Sequence, residues 1–301
     1  MADYESYVED FKHGHFQWGS EPTFLAIRYF SQKLLFPEFW GFFFYAIISI
    51  PLRYNYITKN SIDIYGSLLV YVSYILVVQD MIAIRSAVST ALLLYIIQYK
   101  VENNWRKAVA LIILATMFHY SAAIFSIVLL LDGQKKNRWL FLSMLAISYY
   151  LAITGMTFAS ALGEYVGGLN MTIVSTHFSN YENQKLNIFN LFQLGHLAVC
   201  LFGWYHVDKI IKRSKEALIM LKLFTIAICI LPLFSDLISV GIRLSELFIA
   251  VDVILIPIIF RSAFQSPFMQ KVLIYSYASV IFYYTIQSLQ YWDYYQWLKL
   301  N

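Results

Sequence analysis

The sequence predicts an all-α protein, a polytopic integral membrane bundle of about eight spanning helices, and three observations support this. Hydrophobic residues make up 59% of the 301-residue chain and charged residues only 13%, whereas soluble domains carry about 25% charged residues. Apolar stretches near the roughly 20 residues that a helix needs to cross a bilayer recur along the chain. So much apolar surface cannot be buried in one globular core of this size, so we treat residues 1–301 as a single membrane domain.

The predicted spans follow from the apolar stretches and their polar interruptions. They are residues 39–56, 62–79, 81–99, 139–154, 188–205, 217–234, 244–260 and 272–289. Residues 62–99 form a nearly unbroken apolar run that would measure about 57 Å as one helix, nearly twice the thickness of the bilayer core. The run must therefore break, and Gln79-Asp80 is its only polar interruption.

Residues 108–131 are apolar enough for one long helix but have basic flanks on both sides, Lys100, Arg106 and Lys107 before them and Lys135, Lys136 and Arg138 after them. Basic flanks favour the cytoplasmic side. Both flanks lie on that side if the segment is a re-entrant pair of short helices that turns near His119. Non-helical backbone at that depth must line a protein or water-filled cavity.

The distribution of charge predicts the orientation of the bundle. If residues 1–37 form an outer, interfacial segment, most of the 22 Lys and Arg residues fall in inner loops, Arg53 among them, and most acids fall outside. Residues 155–187 then form a long outer loop. This threading leaves Arg28, Arg85 and Arg243 as the outer-side arginines.

Arg85 and Arg243 are the first candidates for chemistry. An ionisable group at membrane depth costs about 2.5 kcal/mol or more unless it is paired or hydrated. Arginine binds phosphate oxygens in a bidentate manner and keeps its charge at any working pH, so the pair suits the diphosphate of a polyprenyl-linked sugar. The structural alternative is local pairing, of Arg85 with Asp80 and of Arg243 with Glu246 or Asp236.

Other outer-side residues are further candidates. His119 can donate a hydrogen bond to phosphate or act as an acid or base, or it can be a satisfied structural histidine. Asp3 and Glu21 lie in an acidic, aromatic-rich segment that could activate a sugar hydroxyl, and the alternative is a solvated interfacial helix. Arg28 and Asp80 are additional candidates for substrate binding on the same side.

Asp252 lies in the middle of the predicted span 244–260, where a carboxylate is expensive. It fits either a proton-relay residue of a transporter or a structural partner of a buried tyrosine or amide. No metal-ligand spacing, nucleotide-binding loop, nucleophile motif or basic stripe occurs. We therefore expect no metal, no cofactor and no nucleic acid.

Four short motifs resemble the EpsG-like, Wzy-type family of O-antigen and exopolysaccharide polymerases. They are Asp3-Tyr4-Glu5-Ser6-Tyr7, Ile84-Arg85-Ser86-Ala87, Phe118-His119-Tyr120-Ser121-Ala122 and Gly241-Ile242-Arg243-Leu244-Ser245. Their order and spacing match over roughly residues 1–260. Ser86 stands where the family often has glutamine. The resemblance also implies a further helix before Asp3.

The resemblance implies a glycosyltransferase of the bacterial inner membrane that polymerises repeat units of a surface polysaccharide carried on undecaprenyl diphosphate. It implies that Asp3, Arg85, His119 and Arg243 form the catalytic site, and that no nucleotide sugar or metal is used. The expected partners are the lipid-linked oligosaccharide and membrane lipids, with a chain-length regulator protein as a further candidate. The rival functions are a transporter or flippase of lipid-linked sugars, which would use Asp252, and an O-antigen ligase or membrane acyltransferase.

Overall fold

The computed structural model describes residues 2–14, 19–156, 187–235 and 237–288. All regular secondary structure within these ranges is helical, which confirms the predicted all-α class for this part of the chain. Within the same ranges, none of the helices has both the length and the apolar character that a membrane span requires. Asp236 and nearly all of the predicted outer loop 155–187 lie outside the described residues.

Two amphipathic N-terminal helices precede the longer helices of the bundle, and shorter turns connect several of these. The α-helices are α1 (Ala2–His13), α2 (Pro22–Ser31), α3 (Pro37–Asn60), α4 (Ile64–Val70), α5 (Ile84–Val101), α6 (Trp105–Phe118), α7 (Ile127–Leu130), α8 (Arg138–Thr154), α9 (Leu191–Tyr205), α10 (Val207–Ile210), α11 (Ala217–Leu233), α12 (Ile238–Ile249), α13 (Asp252–Ala263) and α14 (Pro267–Ser288). A π-helix, Tyr71–Asp80, continues α4, and a 3₁₀-helix, Tyr120–Ser126, precedes α7.

The long apolar run breaks where its polar interruption predicts. The π-helix ends at Asp80, Ala83 has a non-helical backbone (φ −95°, ψ 57°), and α5 begins at Ile84. Arg85 therefore lies in the first turn of α5.

A buried ion pair at this break corrects two predictions. Arg53 Nη1 donates to Asp80 Oδ2 at 2.8 Å, and the two side chains are 0% and 1% exposed. Arg53 does not belong to an inner loop, because it lies inside α3 rather than beyond its end. Asp80 does not face an outer site, because its buried carboxylate is the partner of the Arg53 guanidinium, which needs one. Gln79 and Thr90 complete the network through hydrogen bonds to Arg53 Nη2 at 3.3 and 2.7 Å.

Residues 105–130 form a helical hairpin rather than one long helix. His119 adopts an extended conformation (φ −154°, ψ 114°) that ends α6, and the 3₁₀-helix then packs back against α6. Lys100 Nζ donates to the carbonyl oxygen of Leu129 at 2.7 Å. The two ends of the hairpin thus lie together, as expected for a pair of short helices that turns near His119.

The predicted span 244–260 is not one helix. α12 ends at Ile249, a turn follows at Ala250 and Val251, and α13 begins at Asp252. Asp252 therefore occupies a first helical turn, where the helix dipole favours a carboxylate, instead of the middle of a span. The hydroxyl of Tyr277 lies 3.4 Å from Asp252 Oδ2, so the structural alternative, a buried tyrosine partner, is the one observed.

The N-terminal helices fold back over the hairpin turn. Thr23 Oγ1 donates to the carbonyl oxygen of Met117 at 2.7 Å, and the Tyr120 hydroxyl donates to that of Ser20 at 3.0 Å. α1 packs on α3, where Gly41 is required because a Cβ atom would lie 2.5 Å from the Phe11 ring. The segment before α2 is thereby held against His119.

Candidate functional site

Three residues that are far apart in the sequence line one cleft. Arg85 comes from the start of α5, His119 from the hairpin turn and Arg243 from α12. Tyr7, Ser86 and Glu246 complete the polar lining. The cleft thus combines two guanidinium groups, an imidazole, a phenol and a carboxylate.

Arg85 is held by the N-terminal helices. Its Nη1 lies 2.6 Å from Glu21 Oε2, and its Nε donates to the Tyr7 hydroxyl at 2.9 Å. The guanidinium also lies over the rings of Tyr7 and Phe24, at 5.0 and 5.1 Å from their centroids, which is cation–π geometry. The structural alternative, local pairing of Arg85 with Asp80, is not observed, because Asp80 pairs with Arg53.

Glu21 contacts both Arg85 and His119 in this half of the cleft. Its second oxygen, Oε1, lies 3.3 Å from His119 Nδ1, and its side chain is only 6% exposed. Burial raises the pKa of Glu21, but the hydrogen bond with His119 and the charge of Arg85 outweigh it and lower the pKa to about 2. Glu21 is therefore ionised at neutral pH and is a poor general base, and it fixes the positions of Arg85 and His119.

α12 supplies the opposite wall of the cleft. Arg243 and Glu246 are three residues apart on this helix and so share one face. The Tyr74 hydroxyl donates to Glu246 Oε1 at 2.8 Å, and Gln79 Nε2 donates to the Glu246 carbonyl oxygen at 3.1 Å. Gln79 Oε1 also accepts a hydrogen bond from Arg53 Nη2, so Gln79 connects α12 to the buried ion pair.

The whole chain, residues 1–301, matches one protein family, the EpsG family. The chain belongs to the EpsG family. No curated protein and no solved structure matches it. Membership confirms the resemblance seen in the four motifs, and it suggests a polymerase-like role in polysaccharide biosynthesis.

The four motifs of this EpsG protein converge on the cleft. Arg85, His119 and Arg243 each bring one motif to it, and Tyr7 brings the acidic-aromatic motif. Asp3 precedes Tyr7 by one turn on α1, but its side chain lies outside the described residues.

Arg28 does not line the cleft. It is 5% exposed, and its guanidinium lies 5.7 Å from the centroid of Phe24, the ring that Arg85 also approaches. Asp80 is likewise absent from the lining. Within the described residues, no group of three or more His, Cys, Asp or Glu side chains is placed to hold a metal ion.

Three residues that line the cleft, Tyr7, Ser86 and Glu246, were not predicted as site residues from the sequence. Tyr7 was visible only as part of the first motif, and Ser86 only as the neighbour of Arg85. Glu246 entered as a local partner for Arg243, although its spacing of three residues from Arg243 already placed both on one helical face. The role of Glu21 as a bridge depends on the folding back of α2, which no local pattern encodes.

The cleft is small, with a volume of about 50 Å³, and Arg85 and Arg243 supply positive charge to its lining, so a charged group suits it. A second cleft of about 260 Å³ adjoins it at Glu246. Aromatic and aliphatic side chains dominate its lining, among them Tyr74, Phe192 and Ile242. α12 thus contributes Arg243 and Glu246 to the first cleft, and Ile242, Ser245, Glu246 and Ile249 to the second.

Proposed function

We propose that this EpsG-family protein is a membrane glycosyltransferase that polymerises undecaprenyl-diphosphate-linked repeat units of a bacterial surface polysaccharide. The observation that carries the proposal is that Arg85, His119 and Arg243 line one cleft although they lie far apart in the chain. Two guanidinium groups beside an imidazole suit a diphosphate, because their planar donors match phosphate oxygens. We place the reaction at the outer face of the bacterial inner membrane.

The proposed reaction is an inverting glycosyl transfer. An acceptor hydroxyl oxygen attacks the anomeric carbon of the donor sugar, and the bond from that carbon to the diphosphate oxygen breaks. The diphosphate leaves with the bonding electron pair, and a carboxylate takes the hydroxyl proton. Arg85 and Arg243 stabilise the charge that develops on the leaving group, an electrostatic contribution that is usually the largest in catalysis. No nucleotide sugar or metal is needed for these steps.

His119 and Glu21 have different roles in this proposal. The anionic Glu21 carboxylate, 3.3 Å from His119 Nδ1, orients the imidazole so that its other ring nitrogen can donate a hydrogen bond to the leaving diphosphate. Because the pKa of Glu21 is lowered to about 2, we assign it a positioning role rather than that of the base. The candidates for the base are Asp3, on the helix that also carries Tyr7, and Glu246, which lines the cleft.

Contacts among predicted inner loops support the proposed orientation. Asp63 Oδ2 accepts from Arg261 Nη2 at 2.9 Å, and Lys136 pairs with Asp208. Arg261, Lys136 and Asp208 come from loops that the threading places on the inner side, and Asp63 lies at the inner end of the predicted span 62–79. The lipid-linked oligosaccharide and membrane lipids are the proposed partners, and a chain-length regulator is a further candidate.

A reconstitution experiment tests the proposal. The full chain in nanodiscs is supplied with lipid-linked repeat units, and the expected product is a ladder of polymers. Arg85→Lys and Arg243→Lys should each abolish the ladder, because lysine cannot replace the guanidinium fork, whereas Arg106→Lys on an exposed helix start should not. Normal polymer length in both cleft variants rejects the mechanism. A single transfer to a lipid acceptor would identify a ligase instead.

A further inference from the structure

The cleft lined by Arg85, His119 and Arg243 is called the arginine cleft below. A larger cleft lies at the opposite end of α5. It has a volume of about 690 Å³, within the roughly 300–1,000 Å³ typical of ligand sites. Lys100, in the last turn of α5, lines it, whereas Arg85 in the first turn of the same helix lines the arginine cleft. Lys100 follows Arg85 by fifteen positions along the helix, which corresponds to about 22 Å. We call this site, which is distinct from both clefts described above, the lysine cleft.

The loop around Asp132 forms one wall of the lysine cleft, and the side chain of Lys222 holds it in place. Lys222 is 1% exposed, and its Nζ donates to the carbonyl oxygens of Asp132 and Lys135 at 2.5 and 2.6 Å. Asp132 Oδ1 accepts from the backbone nitrogens of Gln134 and Lys135 at 2.7 and 3.1 Å. These hydrogen bonds hold the pKa of the Asp132 carboxyl below its usual value. The wall is therefore preformed.

The charge around the lysine cleft is positive. Lys100 and Lys215 line it, and the buried ammonium of Lys222 lies beneath its loop. Asp132 is the one carboxylate among the lining residues, and it already accepts two backbone hydrogen bonds. An anion is therefore the favoured ligand.

The remaining lining of the lysine cleft is mixed, with Asn103, Gln134 and Ser214 as its polar side chains. Its aliphatic part consists of Val101, Leu130, Leu131, Ile211, Leu218 and Ile219. Leu130 is 84% exposed, which leaves a large aliphatic side chain at the mouth. A ligand that matches both parts carries an anionic group on an apolar body.

We propose that the lysine cleft binds the phosphate of an anionic amphiphile, with the phosphate between Lys100 and Lys215 and the apolar part against Leu130 and Leu131. Phosphate is the shared chemistry of a phospholipid headgroup and of free phosphate, and the apolar wall selects the lipid. The site is separate from the proposed polymerase reaction. It lies among the loops that carry most of the basic residues, where anionic headgroups of the inner leaflet are expected.

Native mass spectrometry of the purified full chain tests this proposal. The probes are phosphatidylglycerol, phosphatidylcholine and inorganic phosphate, and we expect preferential retention of phosphatidylglycerol. Lys215→Gln should weaken that retention about fivefold, as expected for one lysine near an anionic headgroup. Lys212→Gln removes the same charge from the same loop but lies outside the cleft lining, so it should change little.

The apolar wall needs its own variant. Leu130→Asn should weaken retention of phosphatidylglycerol while leaving both lysines in place. Equal retention of phosphatidylglycerol and phosphatidylcholine, or equal losses in Lys215→Gln and Lys212→Gln, overturns the proposal. If inorganic phosphate at the same concentration as the lipid displaces it, the ligand is free phosphate, and the proposal of an amphiphile is overturned.

Discussion

Glu21 Oε2 lies 2.6 Å from Arg85 Nη1, and this contact joins the N-terminal helices to the arginine cleft. The same carboxylate contacts His119 Nδ1, so one buried anion positions two of the groups proposed to bind the diphosphate. An anion that neutralises Arg85 also competes with the substrate for it. Glu21 therefore positions Arg85 and His119 before substrate arrives, and it already balances part of the positive charge of Arg85.

Glu21→Gln tests whether this positioning matters for the reaction. The amide keeps the shape of the side chain but removes the charge, so Arg85 and His119 lose their common partner. We expect the rate of polymer formation to fall by about tenfold to a hundredfold, the size of effect that misplaced catalytic groups produce. Measurement of initial rates with lipid-linked repeat units checks this.

The matched control is Glu38→Gln, which removes a carboxylate from an exposed pair. Glu38 Oε1 lies 3.3 Å from Lys12 Nζ, and the two side chains are 26% and 40% exposed. Exposed pairs contribute only about 0–1 kcal/mol, so this variant should retain full activity. Equal losses in the two variants would show that general loss of acidic charge, and not the bridge, causes the effect.

The lowered pKa of Glu21 predicts a dependence of stability on pH. Its folded pKa, about 2, lies below the ordinary value of 4.5. A carboxyl with a depressed folded pKa stabilises the protein above its unfolded pKa, and this stabilisation is lost as the pH falls from about 4.5 to about 2. The thermal unfolding midpoint of the wild type should therefore fall across this window. Glu21→Gln should show a smaller fall, and identical profiles would contradict the bridge.

The Arg53–Asp80 pair predicts a strong, asymmetric effect on folding. Both side chains are almost completely buried, and removal of one partner leaves an uncompensated charge that typically costs about 3–5 kcal/mol. Asp80→Asn should therefore lower the free energy of unfolding by about that amount. The double variant Arg53→Met with Asp80→Asn should recover much of the loss, because no charge remains buried. Denaturant titration of the single and double variants measures both effects.

The sequence predicted the local features of this fold better than its long-range pairings. The break at Gln79-Asp80 and the turn at His119 follow from polar residues and basic flanks within a few residues of each. The alternative partner considered for Arg85 was Asp80 because it is near in sequence, whereas the observed partner, Glu21, becomes near only when α2 folds back onto the hairpin. Arg53 was assigned to an inner loop for a similar reason, since counting charges does not show which of them are buried.

Glu246 is a candidate for the base that takes the proton of the acceptor hydroxyl. Glu246 lines the arginine cleft beside Arg243, and its Oε1 accepts from the Tyr74 hydroxyl at 2.8 Å. If Glu246 takes the proton of the acceptor hydroxyl, Glu246→Gln should lower kcat by about 10²–10⁴, the usual contribution of a general base. KM for the lipid-linked donor should change little, because the two arginines that bind the diphosphate remain.

Tyr74→Phe separates the proposed chemistry of Glu246 from its position. This variant removes one neutral donor and leaves the carboxylate in place, so we expect kcat to fall by no more than about tenfold, as for a hydrogen bond of about 1 kcal/mol. Full activity of Glu246→Gln would instead assign the base to Asp3, and Asp3→Asn would then abolish the ladder.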